Sequence, residues 1–114
     1  MFGSGVKVAV QDPSYPVYVD GTVMAGAGGK KTVTPTGFKD IFYMPCLPEN
    51  NFFPDLSVVK KNTLIYICSP NNPTGACATK ENLTELVKFA KANECFVLFD
   101  GAYSACVHDS ALPK

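Results

Sequence analysis

Leu64-Ile65-Tyr66-Ile67-Cys68-Ser69-Pro70-Asn71-Asn72-Pro73-Thr74-Gly75, with the residues from there to Asp100, sets the architecture of the chain. Leu64 to Cys68 is a continuous apolar run, the pattern of a strand buried on both faces of a parallel sheet. A loop rich in Pro, Asn and Gly comes directly after it. Thr79 is a suitable N-cap for a helix reaching about Asn93. Leu83, Leu86, Val87 and Ala90 recur at i, i+3, i+4 and i+7 and predict one buried helical face. Lys80, Glu81, Glu85, Lys88 and Lys91 fall largely elsewhere, as a solvated surface. Asn93 is expected to take the left-handed position that ends the helix. Cys95-Phe96-Val97-Leu98-Phe99 then reads as a second buried strand, ending at Asp100. Strand, helix and strand over 64–100 make a parallel crossover unit. The fold class is α/β, part of a mostly parallel sheet with flanking helices.

Upstream, Val6-Lys7-Val8-Ala9-Val10 is short, rich in β-branched residues and bounded by a turn, so it reads as a strand. Asp12-Pro13-Ser14-Tyr15-Pro16 is that turn. A helix is expected with Ser14 as N-cap and Pro16 in its first turn, running to Gly26 with a weak stripe of Val19, Val23 and Met24. Gly26 to Gly37 holds four glycines, two lysines and a proline, and reads as a surface loop. Ile41-Phe42-Tyr43-Met44 is a short strand. Pro45 to Pro54 is irregular, with a turn signal at Asn50-Asn51.

The 114 residues suffice for one domain, and 46 % apolar content allows a core. Ten lysines and no arginine face ten acids, a formal charge of zero. That excludes a generic basic nucleic-acid platform, which needs a positive surplus. No apolar run reaches the ~20 residues of a membrane span, and the opening residues are not expected to form a signal or transit segment. Cys46, Cys68, Cys77, Cys95 and Cys106 are odd in number and contain no C-x-x-C pair, so neither a disulfide framework nor a zinc knuckle is expected. They read as reduced and mostly buried, in a reducing compartment. His108 has no partner histidine, and no metal site is expected.

In parallel sheets ligands sit outside the carboxyl ends of the strands. Asn72 lies just past one such end and Asp100 at the next, so the topology brings both to one rim. Asp100 has two readings: a structural carboxylate capping a nearby loop, or one aimed at a ligand's positive nitrogen. A carboxylate behind a run of apolar residues needs a partner in either case. The loop Ser69–Gly75 is by itself a rigid β-to-α turn. The full string is more specific, because Asp100-Gly101-Ala102-Tyr103 begins 28 residues after Asn72.

That pair of motifs resembles the S-P-x-N-P-T-G and D-x-A-Y signatures of the fold-type I, pyridoxal-phosphate (PLP) aminotransferases. Val8 to Pro16, Pro48-Glu49-Asn50, Phe52 to Ser57 and Cys68 to Gly75 are closest to the branch that works on LL-diaminopimelate. The resemblance covers essentially the whole chain and is weakest over 26–39 and after Cys106. It implies a PLP-dependent transferase-like large domain, of which residues 1–114 are an incomplete, cofactor-binding part. It implies amino-group transfer between LL-diaminopimelate and 2-oxoglutarate, on the route to lysine. Asn72 would hydrogen-bond the phenolic oxygen O3′ of PLP and lie near the substrate carboxylate. Asp100 would pair with the pyridine N1–H, and Tyr103 would direct its hydroxyl to O3′. Tyr15 would stack on the ring; by itself it reads as a turn aromatic. Cis peptides are implied at Asp12-Pro13 and Asn72-Pro73.

The family also needs a lysine that forms a Schiff base with PLP. None of Lys7, Lys30, Lys31, Lys39, Lys60, Lys61, Lys80, Lys88, Lys91 or Lys114 stands in the matching Ser/Thr-x-x-Lys setting. The phosphate-binding loop and the arginine for the substrate carboxylate are absent too. Two readings are open. The chain is a segment of an aminotransferase, inactive alone, with PLP bound only in the completed site. Alternatively it is a truncated, inactive relative serving as a structural or binding subunit of a larger assembly. Either implies another protein chain, or the remainder of the domain, as partner; the family resemblance implies a homodimeric parent, without nucleic acid or a membrane span. It suggests a plastid stroma or a bacterial cytoplasm.

Overall fold

The structure, a computed structural model, describes residues 2–3, 5–27, 33–34 and 37–113. Most of the expected loop over 26–37, with Lys30 and Lys31, lies outside the described residues, as does Lys114. The elements run β1 (Lys7–Asp12), α1 (Val17–Met24), β2 (Val33–Thr34), β3 (Gly37–Phe38), β4 (Ile41–Pro45), β5 (Thr63–Cys68), α2 (Lys80–Ala92) and β6 (Phe96–Asp100). Single 3-10 turns lie at Pro48–Asn50, Leu56–Val58 and Ser104–Cys106. The tail of the expected glycine loop is not wholly irregular: β2 and β3 pair antiparallel, Val33 with Phe38.

The main sheet has the order β4-β1-β5-β6 with every pairing parallel. All four carboxyl ends therefore lie along one edge. Alternation sorts the strand side chains onto two faces. Ala9, Met44, Ile65 and Ile67 join Leu86 of α2, with Leu56 and Val59, in one core cluster. Val8, Val10, Ile41, Leu64 and Cys68 join Tyr18 of α1 in the other.

The expected burial holds for β5, where five of six residues are buried. It fails for β6. Phe96 is 61 %, Phe99 49 % and Leu98 41 % exposed. An apolar run marks a strand patterned for cover on both faces, and β6 lies at one edge of the sheet, with β4 at the other.

Both helices differ in detail from their patterns. Helix α1 begins after Pro16, not Ser14, and no side chain caps it. Its inward residues are Tyr18 and Thr22, one turn apart, while Met24 and Val23 face solvent. In α2 the reciprocal cap is present: Asn82 N–H donates to Thr79 Oγ1 at 3.1 Å, and Thr79 N–H to Asn82 Oδ1 at 3.0 Å. Its buried arc is centred on Leu86 and Ala90 and flanked by Leu83 and Phe89, leaving Val87 half exposed. The buried arc is turned toward Phe89, which lies on the opposite flank from Val87. The helix ends at Ala92 with Asn93 as its C-cap, close to the expected end, but Asn93 has φ −109° and the left-handed position falls one residue later, on Glu94 at φ 55°.

Candidate functional site

The carboxyl edge of the sheet is where this chain concentrates polar groups. Strand β1 pairs with β4 as far as Asp12–Pro45, and β5 with β6 as far as Cys68–Asp100. Between β1 and β5, however, the register stops at Ala9–Ile65. The middle strands thus part toward their carboxyl ends. The chain leaves β1 for β4 on one side, and β5 for β6 on the other, the arrangement that opens a crevice in parallel sheets. Gln11, buried in the gap, accepts the Cys68 N–H on Oε1 at 2.7 Å. A side chain replaces the missing strand–strand bond.

The loop after β5 is held on every side. Ser69 N–H donates to the Asp100 carbonyl at 3.1 Å, and Gly75 N–H to the Asn71 carbonyl at 2.7 Å. Gly75 closes this turn at φ +73°, where a side chain is strained. Ser69 Oγ accepts the Ala78 N–H at 2.9 Å, steering the chain into α2. The buried Asn71 amide donates to the Pro13 carbonyl at 3.2 Å and to Thr74 Oγ1 at 3.0 Å, joining this loop to the one after β1. Both expected cis peptides, Asp12-Pro13 and Asn72-Pro73, are present, with a third at Ser69-Pro70.

Onto this frame the structure brings all four residues singled out in the sequence. Asn72 Nδ2 donates to the Tyr103 hydroxyl at 3.2 Å, across 31 residues. Asp100, at the end of β6, accepts the Ala102 N–H on Oδ1 at 2.9 Å and the Tyr18 hydroxyl on Oδ2 at 2.5 Å. The Tyr18 hydrogen bond, then the Ala102 N–H, holds the Asp100 carboxyl below the ordinary carboxylate range. Burial, and after it the bond to Asp100, raises the Tyr18 phenol far above its ordinary value. Asp100 is therefore ionised and Tyr18 neutral. Tyr15 is 46 % exposed, edge-on to Tyr18 with centroids 6.0 Å apart.

Both readings of Asp100 find support here. It does cap the turn after β6 through Ala102. It is also partly exposed at the carboxyl edge of the sheet, with lone pairs on both oxygens beyond those two bonds.

Tyr18, Gln11 and Asn71 are the members of the site that sequence reasoning missed. Gln11 carried a signal, a polar residue inside an apolar strand. Tyr18 carried a weaker one, an i, i+4 pair with Thr22 that competes with the apolar stripe.

A cavity of about 440 Å³ opens beside this cluster, lined by Asn71, Asn72, Gly75, Cys77, Tyr103 and Cys106 among others. A larger groove, about 970 Å³, lies between α2 and the Leu56–Val58 turn. The rim is preferred as the site because it joins an ionised carboxylate to an amide–phenol pair. The donor set fits pyridoxal phosphate: an anionic acceptor for a ring N–H, two polar groups for a phenolic oxygen, and an exposed aromatic ring nearby. The five cysteines are free; Cys46 and Cys68 are buried, Cys77 and Cys95 intermediate, and Cys106 exposed, so they are less buried than expected. Among the described residues no cluster of three or more His, Cys, Asp and Glu could hold a metal. No helix there is long and apolar enough to cross a membrane.

Comparison with known proteins agrees with this geometry. The family model of aminotransferase class I and II matches residues 1–114. The chain is 53 % identical over 109 residues to the chloroplastic LL-diaminopimelate aminotransferase of Arabidopsis thaliana, covering 96 % of the chain and 24 % of that protein. It is 50 % identical over 114 residues to LL-diaminopimelate aminotransferase of Protochlamydia amoebophila, covering 100 % and 28 %. The solved L,L-diaminopimelate aminotransferase of Chlamydomonas reinhardtii superposes with a TM-score of 0.89 at 54 % identity, over 98 % of this chain and 27 % of that one. The chain thus spans about a quarter of the length of the relatives it matches. Matched from its first residue to its last, and with its motif residues gathered on one sheet edge, the chain belongs to the aminotransferase class I and II family.

Proposed function

We propose that this chain carries the ring-nitrogen side of a PLP site in an aminotransferase that moves an amino group between LL-diaminopimelate and 2-oxoglutarate. The observation that carries the reading is Asp100: an ionised carboxylate at the carboxyl end of β6, on the same rim as the Asn72–Tyr103 pair. The substrate is taken from the names of the relatives in Arabidopsis and Protochlamydia. PLP, when bound, supplies a ring that accepts electron density and so stabilises negative charge at the amino acid's α-carbon. Asp100 keeps a proton on the ring nitrogen, without which the ring accepts far less. The Tyr103 hydroxyl already accepts the Asn72 amide, so its own proton is free to donate to the phenolic oxygen. Asn72 has its second amide hydrogen for the same oxygen and borders the substrate carboxylate. Tyr15 would stack on the ring face.

In this reading residues 1–114 are part of the cofactor-binding domain. The Schiff-base lysine, the phosphate-binding loop and an arginine for the substrate carboxylate come from further polypeptide, since no lysine here stands in the matching motif and the chain has no arginine. A homodimeric parent belongs to the same reading, as does a plastid stroma or a bacterial cytoplasm; relatives named chloroplastic occur in Arabidopsis and rice, and another is bacterial. In the complete enzyme, Asp100→Asn should lower glutamate formation from LL-diaminopimelate and 2-oxoglutarate by about 10²-fold or more, the scale seen when an oriented partner of developing charge is removed. An unchanged rate would overturn the assignment.

A further inference from the structure

We infer that Tyr18 is the positioning residue for Asp100: its hydroxyl locks the carboxylate in the orientation in which a ring N–H meets it. The inference rests on the reading of Asp100 as the partner of a protonated ring nitrogen. Its first support is geometric. Tyr18 OH lies 2.5 Å from Oδ2 while the Ala102 N–H lies 2.9 Å from Oδ1. Donors on both oxygens stop the carboxylate turning about its terminal torsion, which is otherwise broad. Neither donor uses up the oxygen it binds, so a third donor can still be received.

The second support is that Tyr18 is itself immobilised. It is 8 % exposed, and its ring stacks on Tyr66 of β5 with centroids 5.0 Å apart and planes 18° apart. The Thr22 hydroxyl donates to its carbonyl at 2.6 Å. The bond therefore ties α1 to the end of β6 across 82 residues and over the parted strands. The third support is chemical. Burial and the neighbouring carboxylate keep the phenol protonated, so Tyr18 remains a donor and Asp100 the acceptor throughout the neutral range. An oriented group supported by a locked neighbour is what precise placement requires.

The test compares affinity for PLP with that for its 1-deaza analogue, in which a C–H replaces the ring nitrogen. Both are measured by equilibrium dialysis on the complete enzyme. Wild type should prefer PLP. Tyr18→Phe keeps the stacked ring and should cut that preference about tenfold, the scale of one lost charge-assisted hydrogen bond, with deaza affinity unchanged. In an Asp100→Asn background, Tyr18→Phe should alter the preference no further. Equal loss of both affinities, or an unaltered preference, would overturn the positioning role while leaving Asp100 in place. A wild type that does not distinguish the two cofactors would overturn the reading of Asp100 itself, and this inference with it.

Discussion

Asp100 sits where two demands meet. As a β-strand terminus it satisfies the Ala102 N–H; as the proposed partner of a ring N–H it must stay charged. Tyr18 reconciles them by stabilising the charged form. A carboxyl lowered on folding adds stability above its unfolded value near ~3.9. That stability is lost as pH falls through the lower folded value. Removing the hydroxyl with Tyr18→Phe should therefore lower the stability of the complete enzyme at pH 7 by about 1.5 kcal/mol, read as a lower urea midpoint. The gap to wild type should narrow at pH values below the folded carboxyl's own. A gap of equal size at both extremes would show that the bond does not depend on charge. The site was only partly legible at this scale. Asn72, Asp100 and Tyr103 stand in contiguous strings at fixed spacing, so letters alone locate them. Tyr18 meets its partner 82 residues away, and only the folded sheet reveals the pair.

At the scale of elements, patterning placed β1, β4, β5 and α2 to within two residues at either end, because each has an apolar period or a cap. Helix α1 was misjudged in start and face: eight residues beginning after a proline have no cap, and one aromatic outweighs two valines in packing. The left-handed residue that follows α2 was misplaced by one position for a related reason. Asn is the better left-handed residue, yet Asn93 instead turns its amide onto the Phe89 carbonyl at 2.9 Å, and Glu94 takes φ 55°. A glutamate there crowds its Cβ against the backbone, which glycine does not. Glu94→Gly should thus stabilise the complete enzyme by up to ~1 kcal/mol, once the greater chain entropy of glycine is set against the relieved strain. The readout is a higher midpoint in chemical denaturation. A lower one would mean that the left-handed turn is not strained at Glu94.

For the whole molecule, the sheet is lopsided. Strand β5 is enclosed by neighbours and helices, whereas β6 presents Phe96, Leu98 and Phe99 on its two faces and, among the described residues, an unpaired outer edge. Sequence reading saw the apolar run but could not see its place in the sheet, because strand order is set by topology and not by composition. Phe2 covers Phe96 in part, edge-on at 5.2 Å, and is itself 38 % exposed. Each such side chain left in water loses a good part of the ~1.5–3 kcal/mol that full burial gives, against a total stability of ~5–15 kcal/mol for a typical domain. An open edge of unpaired N–H and C=O groups beside them invites another strand. Purified residues 1–114 should therefore associate or aggregate instead of forming an ordered monomer. They should also show no turnover of LL-diaminopimelate and no lysine adduct with PLP on borohydride reduction. Sedimentation and amide hydrogen exchange test the first point. A monodisperse monomer with protected amides in both β5 and β6 would prove the sheet self-sufficient. Association that survives Phe96→Lys and Leu98→Lys together would place the sticky surface elsewhere than on this face of β6.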